Sequence, residues 1–237
     1  MSIDRETGFA EVGERRPVKL EESRLIGLMR QLRNYVGLGR KREDPVRDAD
    51  GLARFLDTRA SFVAQTSLYG YLRTRAGMRY PELFDDDPFV TSINIAKWQI
   101  WLACLSDLAV YSGALLSRES GSQEHDVRAI VSGAVEDILT RTGVPEEAGE
   151  AFAPGVQQVR HRVAECDWAV LGDDEAAFTE SPGALVEWAP IVDHLKQLDA
   201  EIVRNSVRFR WQEVRRDLRR SLDAAAVLRA GSSSADR

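Results

Sequence analysis

One long apolar segment near the middle of the chain most constrains the fold. Between Pro88 and about Ser117 the sequence suits a helix that is apolar on nearly every side. Such a helix must lie inside a protein or a membrane. The apolar residues of its two faces are Ile93, Trp101, Cys104, Leu108 and Tyr111 on one and Ile95, Leu102 and Ala109 on the other. Gln99, Ser106 and Asp107 would be costly in hydrocarbon, so the segment predicts a central helix and no transmembrane segment, while peripheral membrane contact stays open.

Apolar residues at helical spacing predict further helices before and after this segment. The predicted spans are 48–76, 125–143, a stretch between 154 and 172, and 191–228, preceded by a first helix around residues 25–36. The 237 residues show no long alternating strand pattern. The predicted fold class is all-α, an irregular helical bundle of about six helices with a long C-terminal helix. Residues 1–17 are predicted to form a flexible arm, 18–230 a single domain and 231–237 a disordered tail.

Cysteine usage and charge limit the compartment and the partners. Cys104 and Cys166 are the two cysteines, both in apolar stretches, which excludes a disulfide framework and favours a reducing compartment. The first residues lack the apolar run of a secretory signal, so a cytoplasmic location is expected. The net charge of −6 combines fourteen acidic residues against four arginines in 119–180 with seven arginines against two acidic residues in 204–220. So short a basic stretch is a poor nucleic-acid footprint, and no nucleic-acid partner is predicted.

Common catalytic and metal-binding signatures are missing. The sequence contains no glycine-rich phosphate loop, no Gly-x-Ser-x-Gly and no His-Glu-x-x-His. None of the three histidines follows a glutamate by three residues, which excludes a ferritin-like di-iron centre in its usual form. The aspartates at 85–87 precede Pro88 and are more typical of a helix cap than of a Mg²⁺ site. We therefore expect no catalytic residue, no metal and no cofactor.

Charged residues on apolar faces are the most informative polar feature, because an unpaired buried charge is too costly to persist. If the helices predicted over 48–76 and 88–117 form an antiparallel hairpin, Arg59 comes level with residue 105 and within reach of Asp107. An Arg59–Asp107 ion pair is therefore predicted, with a structural role that fixes the register of the helices. The alternative is a polar pocket for an anionic or amphipathic ligand, lined by Tyr69, Arg73, Asn94, Lys97 and Asp107.

The last predicted helix carries two apolar seams whose faces change near Asn205. The first seam comprises Ile191, Leu195, Leu198, Ile202 and Phe209. The second seam is centred on Val207, Trp211, Val214 and Leu218, and the arginines beside it include Arg208, Arg215 and Arg219. Aromatic residues and arginines are common anchors of interfaces, so the second seam is the predicted surface for a protein partner or a homo-oligomer. The alternative is that the chain itself covers this seam.

Parts of residues 69–108 resemble a segment of uncharacterised all-helical bacterial proteins, some of them labelled esterase. The resemblance is carried by YGYLRTRAGMRYPELFDDD at 69–87, SINIAKW at 92–98 and ACLSDL at 103–108. It implies no catalytic residue, since a serine esterase needs a nucleophile activated by a base and no histidine is near Ser106 or Ser112 in sequence. The sequence predicts a non-catalytic interaction or assembly factor. The alternative is a small-molecule-binding protein or esterase-like hydrolase.

Overall fold

The computed structural model describes residues 44–120, 124–168, 170–171 and 175–235. Within these residues there are seven α-helices and no strand: α1 Ala49–Ala76, α2 Asp87–Ser120, α3 Glu124–Thr142, α4 Phe152–Glu165, α5 Ser181–Trp188, α6 Asp193–Ser221 and α7 Ala224–Ala235. Short 3₁₀ turns lie at Gly77–Arg79, Pro81–Asp85, Glu146–Ala148 and Glu175–Ala177. The predicted all-α class is confirmed. The arm predicted at 1–17 and the first helix predicted around 25–36 lie outside the described residues.

Helix α2 is the centre of the bundle, as its sequence predicts. It packs against α1, α3, α4, α5 and α7. Its length and composition alone would also suit a membrane span, but 89 % of its most apolar 18-residue stretch is buried inside the fold. Burial of this kind is expected of the core helix of a helical domain, so the membrane signal is weak evidence.

Local signals in the sequence set the ends of the first two helices. Asp48 caps α1, where its carboxylate accepts a hydrogen bond of 2.7 Å from the Gly51 N–H. Gly77 ends α1 with a φ of 55°, a conformation that glycine adopts without strain. A proline at position 88 predicts Asp87 as the N-cap of α2. The capping side chain is instead that of Asp86, whose Oδ1 accepts a hydrogen bond from the Phe89 N–H at 3.3 Å.

The long C-terminal helix is interrupted, in contrast to the continuous helix predicted over 191–228. Val46, ahead of α1, forms an isolated parallel bridge with Leu222. The Val46 N–H donates to Ser221 O at 2.8 Å, and the Asp223 N–H donates to Val46 O at 2.9 Å. These bonds use the Ser221 C=O and the Asp223 N–H, which a continuous helix would need for its own hydrogen bonds. Asp223 Oδ1 then caps α7 by accepting a hydrogen bond from the Ala226 N–H. Helix α7 continues to Ala235, so residues 231–235 are helical where a disordered tail was predicted.

The start of α6 is clamped to the end of α1 by a polar cluster. Tyr71 Oη donates a hydrogen bond of 2.9 Å to Asp199 Oδ2, and Arg75 forms a two-point salt bridge with the same carboxylate. Burial, the hydrogen bond to Asp199 and the negative charge of Asp199 together raise the pKa of Tyr71 to about 12. The tyrosine is thus held in its protonated, donating form.

This cluster predicts a loss of stability at alkaline pH. A tyrosine whose pKa is raised from 10 to about 12 by folding contributes stability that is fully present below about pH 10 and is lost as the pH rises toward 12. We expect the free energy of unfolding in urea to fall over this window, and to fall less steeply in Tyr71→Phe. Asp199→Asn should bring the absorbance titration of Tyr71 at 295 nm back toward pH 10. An unchanged titration in Asp199→Asn would contradict the assignment.

Candidate functional site

Among the five residues of the predicted polar pocket, Asp107 lies apart from Lys97. Tyr69 and Arg73 lie near the C-terminal end of α1, where Tyr69 is half-buried and Arg73 is exposed. Burial, with a smaller contribution from Tyr80, raises the pKa of Tyr69 to about 12. Lys97 and Asp107 are ten residues apart on α2, or about 15 Å along the helix axis. The structure therefore does not bring Lys97 and Asp107 together in one small pocket.

Lys97 has a local partner on the neighbouring 3₁₀ turn. Its Nζ lies 3.4 Å from Glu147 Oε1 and 5.0 Å from the centre of the Trp98 ring. The Lys97 side chain is 22 % exposed, so its charge is both paired and partly hydrated. Asn94, one turn earlier, is half-buried. These contacts explain how a lysine can lie on a largely apolar helix without a ligand.

The predicted Arg59–Asp107 pair is wrong, although Asp107 is buried as expected. Asp107 has no exposed surface and pairs with Arg162 of α4, whose Nη1 lies 2.6 Å from Asp107 Oδ1. Arg59 forms a salt bridge of 3.2 Å with Asp217 of α6. The physical reason is that the two residues face different neighbours: Arg59 faces α6, whereas Asp107 faces α4 and the start of α5.

Asp107 and Arg162 form the centre of a polar network that joins four helices. Asp107 accepts hydrogen bonds from the Ser181 N–H at 2.8 Å, the Ser181 hydroxyl at 2.6 Å and the Glu180 N–H at 3.1 Å. It thereby caps the N-terminus of α5 from α2, where a carboxylate is favourable. Trp211 Nε1 of α6 donates to Ser181 Oγ at 2.9 Å. The network thus positions α5 between the central helix and α6.

Arg162 completes this network from the α4 side. Its guanidinium donates to Ser106 Oγ at 3.1 Å and to Ala177 O at 2.7 Å, besides Asp107, and it forms a 3.2 Å salt bridge with Glu180. Burial is the largest influence on Asp107 and raises its pKa, whereas the charge of Arg162 and the hydrogen bonds from Ser181 lower it. The arginine therefore offsets much of the cost of burying the carboxylate.

A cleft of about 1040 Å³ opens beside this network, between α2, α4, α5 and residues 165–167 and 170–171. None of the five residues of the predicted pocket lines it. Its apolar wall includes Leu102, Val110, Val159 and Ala184, and its acidic residues are Glu165, Asp167, Glu180 and Glu187. Arg162 is the one lysine or arginine among the described residues that line the cleft. Its size and mixed lining are compatible with a ligand-binding cleft.

Gln99 is the least satisfied polar group of this cleft. It is 8 % exposed and lines the cleft from α2, yet its side-chain nitrogen has no hydrogen-bond partner. Gly155 of α4 lies directly against it, since a Cβ at Gly155 would come within 3.2 Å of Gln99 Oε1. An unpaired buried amide nitrogen costs about 1–3 kcal/mol, so the Gln99 amide is an energetically unfavourable feature of the cleft wall.

The described residues form no serine–histidine pair of the kind a serine hydrolase uses. The three histidines, at 125, 161 and 194, are exposed, and no serine of the described ranges is hydrogen-bonded to any of them. The hydroxyl of Ser181 is buried and already bonded to Asp107 and Trp211. Burial raises the pKa of the Cys104 thiol well above its usual value, which keeps the thiol protonated. Within the same residues no group of three or more His, Cys, Asp or Glu could hold a metal ion.

The seam predicted as a partner interface is part of the core. Val207 and Trp211 are 1 % exposed, and Val214 and Leu218 have no exposed surface. Phe178 stacks on Trp211 with 4.7 Å between ring centres, and α5 and α1 pack along α6. Arg208 and Arg215 are half-buried beside this seam, and Arg219 is exposed. The prediction fails because the chain itself covers the seam, which was the alternative reading.

The opposite face of α6 is the exposed one. Leu198, Ile202 and Phe209 are 75 %, 74 % and 72 % exposed. They recur at four- and seven-residue steps and therefore share one side of the helix, with Asn205 between them. We call Leu198, Ile202 and Phe209 the α6 stripe. It belongs to the first seam, whereas the predicted interface was the second seam.

Comparison with known proteins does not help to interpret the cleft or the α6 stripe. No protein-family model matches the chain, and no curated protein or solved structure matches it significantly. The resemblance of residues 69–108 to uncharacterised bacterial helical proteins stays a prediction. Any function must therefore be argued from the cleft and the α6 stripe themselves.

Proposed function

We propose that this protein is a non-catalytic helical assembly protein that pairs with a second copy of itself through the α6 stripe. The observation that carries the proposal is the exposure of three large apolar side chains, all above 70 %, in line on one long helix. Isolated exposed apolar residues are common on protein surfaces, whereas aligned ones mark interaction sites. The proposed function is the one expected from the sequence, but the proposed interface lies on the opposite face of α6 from the predicted one.

The inner face of α6 keeps the stripe in place. Val203, Val207 and Trp211 are buried, and the clamp from Arg75 and Tyr71 to Asp199 secures the start of the helix. The stripe is therefore held on a rigid scaffold. A preorganised face loses little conformational entropy on binding, which favours association through even a modest apolar area.

The charge pattern of this face suits an antiparallel arrangement of two copies. A two-fold axis near residues 203–204 brings Leu198 level with Phe209 of the second copy. The same arrangement brings Glu201, on the flank of the stripe, close to Arg208 of the second copy, and the pair occurs twice. Within one chain Glu201 pairs with Arg204 and Arg208 donates to Asn205, so both groups lie beside the stripe. The helix dipoles also oppose one another.

The mass in solution tests the proposal. Wild type is expected to be in a concentration-dependent monomer–dimer equilibrium by sedimentation velocity. Phe209→Glu should be monomeric at every concentration with an unchanged thermal midpoint, because the residue is exposed in the monomer. Val144→Glu is the matched control: Val144 is 79 % exposed but lies in the loop after α3, so the dimer should persist. A monomeric wild type, or a dimeric Phe209→Glu, would refute the proposed pairing.

The antiparallel register has its own test. Glu201→Arg is expected to weaken the dimer about tenfold, because it replaces the carboxylate that faces Arg208 of the second copy with a like charge. Arg208→Glu should weaken it similarly. The double variant Glu201→Arg/Arg208→Glu restores opposite charges and should recover most of the affinity. Failure of the double variant to recover, with the stripe still required, would exclude this register.

A further inference from the structure

We propose that the cleft between α2, α4 and α5 binds an amphipathic amine, that is, a primary ammonium group on an apolar body that also carries a hydrogen-bond acceptor. The proposal is independent of the pairing through α6, since the α6 stripe does not line the cleft. Three observations support it: the apolar wall, the acidic rim and the unpaired amide of Gln99.

The wall of the cleft suits an apolar body. Leu102 and Val110 of α2, Val159 of α4 and Ala184 of α5 line it, and at about 1040 Å³ it is as large as the pockets that hold small organic ligands. Two of its lining residues pack closely, because Gly155 lets α4 approach Leu102 of α2. A Cβ at Gly155 would lie 2.8 Å from Leu102 Cδ1.

The rim of the cleft selects for positive charge. Arg162 is a cation of the lining, but its charge is taken up by Asp107 at 2.6 Å and Glu180 at 3.2 Å. Glu165 and Glu187 are exposed at the rim, and no lysine or arginine side chain of the described residues forms a salt bridge with either. The lining as a whole is therefore net acidic. An ammonium group is favoured there and a carboxylate or phosphate is disfavoured.

Gln99 is the reason for expecting a hydrogen-bond acceptor on the ligand. Its side-chain nitrogen is a donor without a partner in a residue that is more than nine-tenths buried. This nitrogen has almost no accessible surface, so a ligand oxygen reaches it only when the Gln99 amide turns toward the cleft; accepting from it then removes the cost of the unpaired donor. A purely hydrocarbon amine would leave the donor unsatisfied, so we expect an amine with a carbonyl, hydroxyl or sulfonyl oxygen to bind more tightly.

Dansylcadaverine is a suitable probe, because it combines a naphthalene ring, sulfonyl oxygens and a primary ammonium group, and its fluorescence reports burial. We expect it to bind wild type saturably, with dansylamide, which lacks the amine chain, and dansylglycine, which is anionic, each at least about tenfold weaker. Absence of saturable dansylcadaverine binding, or equal binding of all three compounds, would overturn the proposal.

Variants locate the binding. Gly183→Phe should abolish it, because Gly183 lines the cleft and a Cβ there meets nothing within 4 Å, so the ring can fill the cleft without disturbing the fold. Glu165→Gln/Glu187→Gln should weaken it about fivefold. Glu150→Gln, an exposed glutamate that does not line the cleft, is the control and should bind like wild type. Binding that survives Gly183→Phe in a folded protein would place the amine elsewhere and refute the site.

Discussion

Replacing Arg162 with methionine is expected to lower the free energy of unfolding by about 3–5 kcal/mol. The substitution leaves Asp107 fully buried with a negative charge and without its cation. It also removes the donors to Ser106 and Ala177. Chemical denaturation of wild type and variant measures the difference directly.

A neighbouring arginine provides the matched control. Arg160, two residues earlier on α4, forms a two-point salt bridge with Glu136 at 2.7 and 2.8 Å. The Arg160 and Glu136 side chains are 40 % and 46 % exposed, so water already solvates both charges. Arg160→Met is therefore expected to cost at most about 1 kcal/mol. Equal losses in the two variants would show that burial of Asp107 does not determine the effect.

Removing the carboxylate as well should restore part of the stability. In Asp107→Asn/Arg162→Met no charge is buried, and the asparagine oxygen can still accept from the N–H and the hydroxyl of Ser181. The double variant is expected to be more stable than Arg162→Met alone, which gives a large coupling energy in the double-mutant cycle. Additive losses would contradict a direct interaction between these two side chains.

The same variant should respond to pH in a defined direction. Loss of Arg162 removes the strongest influence that lowers the pKa of Asp107, so burial raises that pKa further. A carboxyl group with a folded-state pKa above its unfolded value loses stability as the pH rises between the two. The deficit of Arg162→Met is therefore expected to be smaller in mild acid than at neutral pH.

The sequence predicted the buried carboxylate but not its partner. Helical periodicity alone places Asp107 on an apolar helix, and the cost of a buried charge then demands a cation. The hairpin geometry pointed to Arg59 because that argument reaches only the neighbouring helix. Arg162 lies 55 residues after Asp107 in the chain, and the contact between the two side chains depends on how α4 crosses α2. Nothing in the local pattern around Arg162 specifies that crossing.

The two faces of α6 show a second limit of sequence patterns. Both seams are apolar at helical spacing, so periodicity predicts an amphipathic helix with two candidate inner faces. A useful signal was nevertheless present. Asn205 interrupts the seam that contains Leu198, Ile202 and Phe209, whereas apolar residues occupy the buried face continuously from Val203 to Leu218. The uninterrupted face is the one that packs against α5 and α1.

Any side chain added at Gly113 of α2 is expected to destabilise the protein. The loop after α4 brings Trp168 onto this glycine, and a Cβ at Gly113 would lie 2.4 Å from Trp168 Cζ3. Trp168 is 1 % exposed, and the guanidinium of Arg128 lies 5.5 Å from the centre of its ring. Arg128 also donates to Val163 O and Cys166 O, so the indole is confined on both sides.

Gly113→Ala should therefore destabilise the protein by about 1–3 kcal/mol, although alanine is the better helix former by about 1 kcal/mol. The overpacking against Trp168 exceeds the gain in helix propensity. Gly133, in the middle of α3, is the opposite case, because it is exposed and a Cβ there meets nothing within 4 Å. Gly133→Ala is expected to stabilise by about 0.5–1 kcal/mol. Urea denaturation of both variants decides the matter: if Gly113→Ala is as stable as Gly133→Ala, the contact between α2 and Trp168 does not constrain the core.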